Sequence, residues 1–171
     1  MPTNIEIKAR APDLRRLQTA VEAVSETRAE IRDQEDVFFK VPTGRLKLRI
    51  LGDRHGELIS YQREDAAGPK PSCYLIAPTS DPAALKAILS EVSGVLGVVR
   101  KRRRVYRIGQ TRIHLDEVEG LGQFVEVEVV LRPEQTEDEG VRIARHLMDR
   151  LGIAGDQLVA GAYIDLLAGG P

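Results

Sequence analysis

In the segment FVEVEV, Glu126 and Glu128 stand two residues apart between valines. On an extended strand that spacing puts both carboxylates on one face, where they offer hard oxygen ligands to Mg²⁺ or Mn²⁺. Glu6 in NIEIK and Asp116 in TRIHLDEV follow the same alternation and enlarge the acidic set. Basic residues keep the same rhythm. Lys8 shares a face with Glu6, Arg45 shares one with Lys47 and Arg49, and the run from Arg100 to Arg104 puts bases on both faces of its strand. Guanidinium forks and ammonium groups suit phosphate oxygens. Acids and bases together describe a site for a metal-chelated polyphosphate. A plain carboxylate ligand would not need the acids, and a Ca²⁺ site would not need the bases. The chain has no Walker loop, His/Cys zinc cluster or GxSxG elbow to support a competing chemistry.

The elements that must position these groups are mostly strands. NIEIK, Arg28 to Val41, Arg45 to Leu51, ELISYQRE, CYLIAPTS, VVRKRRRVY, TRIHLDEV and QFVEVEVVL read as strands, with alternating faces in NIEIK, Arg45 to Leu51, VVRKRRRVY, TRIHLDEV and QFVEVEVVL. Pro12-Asp13 opens a helix with Leu14, Leu17, Val21 and Val24 on one face, and Asp81-Pro82 opens a second through Leu89. Thr136 to Leu151 reads as a third helix and Ala162 to Leu167 as a short last one, while Asp65 to Pro71 reads as a loop. Short links favour antiparallel pairing, and no linker divides the strands. Residues 1–171 therefore read as one α+β domain built on an antiparallel barrel. Two packings fit the alternation. Either the apolar faces turn outward and the charges line a tunnel, or the apolar faces fill the barrel and the charges are solvated.

Composition narrows the function classes. Lys plus Arg is 25 and Asp plus Glu is 26, giving a formal net charge of -1, which argues against a general nucleic-acid binder. The single cysteine, Cys73, excludes an intrachain disulfide and fits a reducing compartment. No apolar run approaches a membrane span and no signal-peptide core is present, so a cytoplasmic protein without a membrane partner is expected.

Taken in order, the motifs NIEIK, QEDVFF, GRLKLR, LISYQRED with GPKPS, VVRKRRRVY, RIHLDEVEGLGQFVEVEV and GAYIDLL resemble the CYTH family. These are the triphosphate tunnel metalloenzymes, and the likeness is greatest to the class IV adenylyl cyclase branch. NIEIK resembles the ExExK signature. The resemblance implies an eight-stranded antiparallel barrel around a closed, charged tunnel with flanking helices. It implies metal-side acids at Glu6, Asp116, Glu126 and Glu128. It implies phosphate-side bases at Lys8, Lys47 and Arg49 with Arg45 as a third, at Lys101 and Arg103, and at Arg63. The implied substrate is ATP or another triphosphate, with Mg²⁺ or Mn²⁺ as cofactor, and a homodimer is left open.

Two departures stand out: Asn4 occupies the place of the first signature Glu, and Gln62 stands near a common Lys. Three functions follow as alternatives: cyclisation of ATP, hydrolysis of tripolyphosphate or a nucleoside or thiamine triphosphate, and binding without turnover. His114 reads as a packing or hydrogen-bonding residue, and Tyr163 with Asp165 as anchors of the last helix. In Arg100 to Arg104, half of the run is expected to enter the tunnel.

Overall fold

Ile5 and Ile7 alternate with Glu6 and Lys8, and the packing around them decides which pair faces inward. The structure is a computed structural model that describes residues 2–169; Met1, Gly170 and Pro171, part of the domain expected over 1–171, lie outside the described residues. The strands are β1 (Thr3–Arg10), β2 (Glu30–Phe39), β3 (Arg45–Gly52), β4 (His55–Arg63), β5 (Lys70–Thr79), β6 (Val95–Ile108), β7 (Thr111–Val118) and β8 (Gly122–Val130). The helices are α1 (Leu14–Val24), α2 (Pro82–Val92), α3 (Glu137–Leu151) and α4 (Tyr163–Leu167). All strand pairs are antiparallel, and they close a barrel in the order β1-β5-β4-β3-β2-β6-β7-β8. Closure leaves the charged inner faces no route to bulk water except through the barrel ends.

The apolar faces point outward. Ile5, Ile7, Val125, Val127 and Val129 are 1% exposed or less and pack with Val21, Ala144, Leu147 and Leu151 of α1 and α3. Removing each such side chain from water contributes about 1.5–3 kcal/mol. Of the two packings, the fold therefore takes the one that turns charge inward. Gly140 lets α3 sit this close: a Cβ there would stand 2.5 Å from Ile5 Cγ1 and 2.6 Å from Leu131 Cδ2. On the opposite side, Leu85 and Leu89 of α2 cover Val37, Phe39 and Leu48.

Local signals set the helix starts. The Asp13 and Asp81 side chains accept from the backbone of Arg16 and Ala84, and Thr136 with Glu139 forms a capping box. The expected loop from Asp65 to Pro71 is shorter in the structure. Lys70 and Pro71 already belong to β5, because they pair in register with Glu6 and Ile5 of β1. Among the described residues, no helix is long and apolar enough to cross a membrane.

Candidate active site in the barrel

Strand alternation sends Glu6, Lys8, Lys47, Arg49, Arg63, Lys101, Arg103, Glu126 and Glu128 into one cavity of about 210 Å³. Asp36, His114 and Tyr163 join them there. The basic run divides by strand parity: Lys101 and Arg103 line the cavity, while the Arg100 and Arg102 side chains are 57% and 53% exposed.

The helix α4 stops one end of the barrel. Tyr163 and Ile164 pack there with Phe38, Val99 and Phe124. The Tyr163 ring lies 4.0 Å from Lys8 Nζ and 4.7 Å from Lys101 Nζ, and its hydroxyl donates to Asp116 at 2.9 Å. Lys8 also donates to the Gly161 carbonyl at 3.2 Å and approaches Glu126 at 3.4 Å. Asp116 is fully buried and accepts from Arg103 Nε and Nη2 at 2.7 and 2.6 Å and from Lys101 at 3.2 Å. Burial works against its charge, but Arg103 and Lys101 outweigh burial and hold its carboxyl at about 2. Asp116 lies behind the cavity wall, so what it does directly is fix two of the cavity's cations. Arg103 reaches onward to Glu126 at 2.6 Å.

A second buried carboxylate, Asp36, orders the bases of β3. It accepts from Lys47 at 2.8 Å, Arg49 at 3.2 Å and Gln34 at 3.1 Å. Burial lowers the Lys47 ammonium to about 8 in spite of Asp36. Arg45 diverges from its neighbours. Its two terminal nitrogens grip Asp165 at 2.9 and 2.7 Å, one of them also meets Asp65 at 3.2 Å, and it ties β3 to α4 outside the cavity lining.

The remaining acids occupy two adjacent rungs. Glu6 stands opposite Glu128 across β1 and β8, and Lys8 stands opposite Glu126. Burial, followed by Glu128, raises the Glu6 carboxyl, with Arg63 opposing at 3.1 Å. Burial opposes the charge on Glu128, but His114 and Arg112 bring its pKa below the ordinary value. Burial opposes that on Glu126, but Arg103 and Lys8 bring it well below. His114 sits between them, Nδ1 3.4 Å from Glu126 and Nε2 3.9 Å from Glu128, and burial followed by Arg103 lowers its pKa. Asn4 donates Nδ2 to Glu128 at 2.8 Å, whereas its Oδ1 is buried without a partner among the described residues. Arg63 Nε and Nη2 are likewise buried and unpartnered.

These atoms test what the site could hold. Among the described residues, no three His, Cys, Asp or Glu side chains form a ready-made metal cluster. The donor set nevertheless fits a divalent cation: three carboxylates on neighbouring rungs and an unpartnered amide oxygen beside Glu128 are all hard ligands. All three carboxylates are held, Glu6 by Arg63, Glu128 by Arg112 and Glu126 by Arg103 and Lys8, so occupancy would exchange those partners. The orphaned Arg63 nitrogens fit an anion in the same way.

Sequence reasoning passed over Asp36, Tyr163 and Arg112 as site residues. Asp36 lies in QEDVFF, where Val37, Phe38 and Phe39 blur the alternation because helices or the barrel plug cover both faces. Tyr163 carried only a helix-anchor signal, since its contact with Lys8 joins residues 155 positions apart in the chain. Arg112 shared a visible face with His114 and Asp116.

Comparison with known proteins agrees with this geometry. Among solved structures, a Pyrococcus horikoshii protein has a TM-score of 0.84 at 26% identity, covering 96% of this chain and 99% of its own. A candidate adenylate cyclase from Vibrio parahaemolyticus has a TM-score of 0.81 at 16% identity, covering 96% and 97%. A candidate adenylyl cyclase from Hippeastrum, described as revealing a dominant triphosphatase activity, has a TM-score of 0.69 at 18% identity, covering 100% and 97%. The last two likenesses are of fold. No curated protein matches the chain. The CYTH domain matches residues 2–163, nearly the whole length, and the chain belongs to the CYTH domain family.

Proposed function

We propose that the protein is a divalent-metal-dependent enzyme that converts ATP to cyclic AMP and pyrophosphate inside its barrel, in the manner of a class IV adenylyl cyclase. The order of charges along a tunnel stopped at one end carries this reading. Lys8 and Lys101 lie deepest, against Tyr163, while the Glu6 and Glu128 rung lies on the other side of Lys8 and Glu126, toward the open mouth. A triphosphate entering terminal phosphate first would leave its α-phosphorus and ribose at the acidic rung.

Lys8, Lys47, Arg49, Lys101 and Arg103 would clamp the β and γ phosphates, and the free nitrogens of Arg63 would complete the clamp. Asp116, Asp36 and Arg45 act through other residues: Asp116 orients Arg103 and Lys101, Asp36 orients Lys47 and Arg49, and Arg45 holds α4 in place. Glu6, Glu126 and Glu128, with the Asn4 amide oxygen, would hold Mg²⁺ or Mn²⁺. The cation would neutralise charge at the α-phosphate. Attack by the ribose 3′ oxygen then expels pyrophosphate into a pocket already lined with bases, which stabilise the charge that develops on it.

Hydrolysis is the competing reaction, supported by the activity described for the Hippeastrum protein. Incubation with ATP, tripolyphosphate and thiamine triphosphate in Mg²⁺ and in Mn²⁺ separates the two by product. Cyclic AMP with pyrophosphate is expected; phosphate release alone would replace cyclisation by hydrolysis. Glu126→Gln with Glu128→Gln should abolish metal-dependent turnover and weaken Mn²⁺ binding measured by electron paramagnetic resonance. Unchanged binding would overturn the metal site.

A further inference from the structure

One part of the cavity wall is neither acidic nor basic. On β4 and β5 the inward residues stand opposite one another as Ile59 with Ile76 and Tyr61 with Tyr74. Glu57 and Arg63 of β4 flank this patch in the same cavity. Past Cys73, β5 also loses its β1 partner, because the β1–β5 register ends at Thr3 with Cys73. Tyr74, whose backbone N–H still donates to the Pro2 carbonyl at 3.3 Å, stands at the open mouth at the base of a two-stranded projection that carries Ile76, and Ile76 is 46% exposed although it lines the cavity. An isoleucine left wet inside a polar cavity is an apolar surface without a partner.

Across from this wall the mouth is basic. Arg112 is close enough to Tyr74 that, with burial opposing, Glu128 and then Tyr74 favour its charged form. Arg107 is its register partner on β6, is exposed and lines the same cavity. Neighbouring arginines are committed to acids: Arg103 to Asp116, Arg104 to Glu117 and Arg112 to Glu128. Arg107 makes no ion pair among the described residues.

We infer that this mouth is a nucleobase subsite, which makes the tunnel selective for nucleoside triphosphates over thiamine triphosphate and inorganic tripolyphosphate. The inference rests on the proposed function, which seats the phosphates deep and so carries their organic substituent to Tyr74 and Ile76. A planar base covers the aromatic and aliphatic shelf on one side and offers ring nitrogens and carbonyl oxygens to Arg107 on the other. Tripolyphosphate has nothing to place on the shelf. The cationic ring of thiamine meets the uncompensated charge of Arg107.

The test compares Tyr74→Ala, Ile76→Ser and Arg107→Ala with the parent protein in Mg²⁺, using ATP, thiamine triphosphate and tripolyphosphate. Turnover and competitive binding are both measured. Ile76 is half exposed and Arg107 holds no ion pair, so these two changes leave the fold intact even if Tyr74→Ala does not. Stacking losses on this scale predict that the KM or Kd for ATP rises about tenfold while that for tripolyphosphate stays within about twofold. Arg107→Ala should also narrow the preference for ATP over thiamine triphosphate. Equal changes for ATP and tripolyphosphate, or no change for either, would overturn the subsite while leaving the triphosphate tunnel standing. Failure of the parent protein to bind any of the three would overturn both.

Discussion

The ammonium nitrogen of Lys8 rests 4.0 Å from the centroid of the Tyr163 ring, joining the first strand to the last helix. Lys101 shares the ring at 4.7 Å, so one aromatic side chain steadies two cations at the floor of the tunnel. Each such contact is worth roughly 0.5–2 kcal/mol, most where water is excluded. Tyr163→Phe keeps the ring and loses only the bond to Asp116, so KM for the triphosphate should stay within about threefold. Tyr163→Leu removes the support and should raise KM about tenfold. Steady-state kinetics on both variants, alongside their melting temperatures, check the separation.

Asp116→Asn removes the counter-charge of Arg103 and Lys101 in a fully buried place. Breaking a buried pair from one side should cost about 3–5 kcal/mol of stability, read by denaturant unfolding. The sign with pH follows from the shift. The folded carboxyl titrates at about 2 against an ordinary 3.8, so its contribution is complete above about pH 4 and is lost as pH falls through 2. The parent protein should show that acid-side loss, and the Asn variant should show a smaller one, carried by carboxylates such as Glu126, Glu128 and Asp36.

Lys47 gives a prediction on the alkaline side. Burial brings its ammonium from 10.5 to about 8, with Asp36 opposing that shift and Arg49 and Lys101 adding to it. Phosphate binding needs the charged form, so KM for the triphosphate should rise as pH increases through 8. Lys47→Arg keeps its charge and should shrink that limb of the profile to the part due to Lys8, which burial also brings to about 8. Stability moves the other way: the fold favours neutral Lys47, so the penalty for burying it is present below pH 8 and relieved as pH rises toward 10.5.

Asn4→Glu restores the signature acid and exchanges the 2.8 Å bond to Glu128 for like-charge repulsion. In chelator the variant should melt below the parent protein. Saturating Mn²⁺ should recover the difference, because a cation binding only the folded state stabilises it by mass action. A melting difference unchanged by metal would mean that Asn4 lies outside the metal's reach.

The sequence made the alternation of the barrel legible in β1, β3 and β8, whose patterns repeat every two residues. Glu126 with Glu128, Lys47 with Arg49, and Glu6 with Lys8 stand out in one dimension, and the cavity indeed collects all six. Helix starts were equally readable at Asp13, Asp81 and Thr136, where a cap acts within three residues. Arg45 matched its neighbours in type and spacing yet was drawn out of the cavity by Asp165, 120 residues away.

Sequence by itself thus determined which residues share a strand face, since pleating is local. Whether those faces looked inward was decided by closure of β1 onto β8 and by the helices that cover the outer isoleucines and valines. Tertiary structure alone made Asp116 a buried brace, set Asp36 among the bases and put Tyr163 beneath Lys8. Those roles depend on which charges lose water together, and desolvation is a property of the closed barrel.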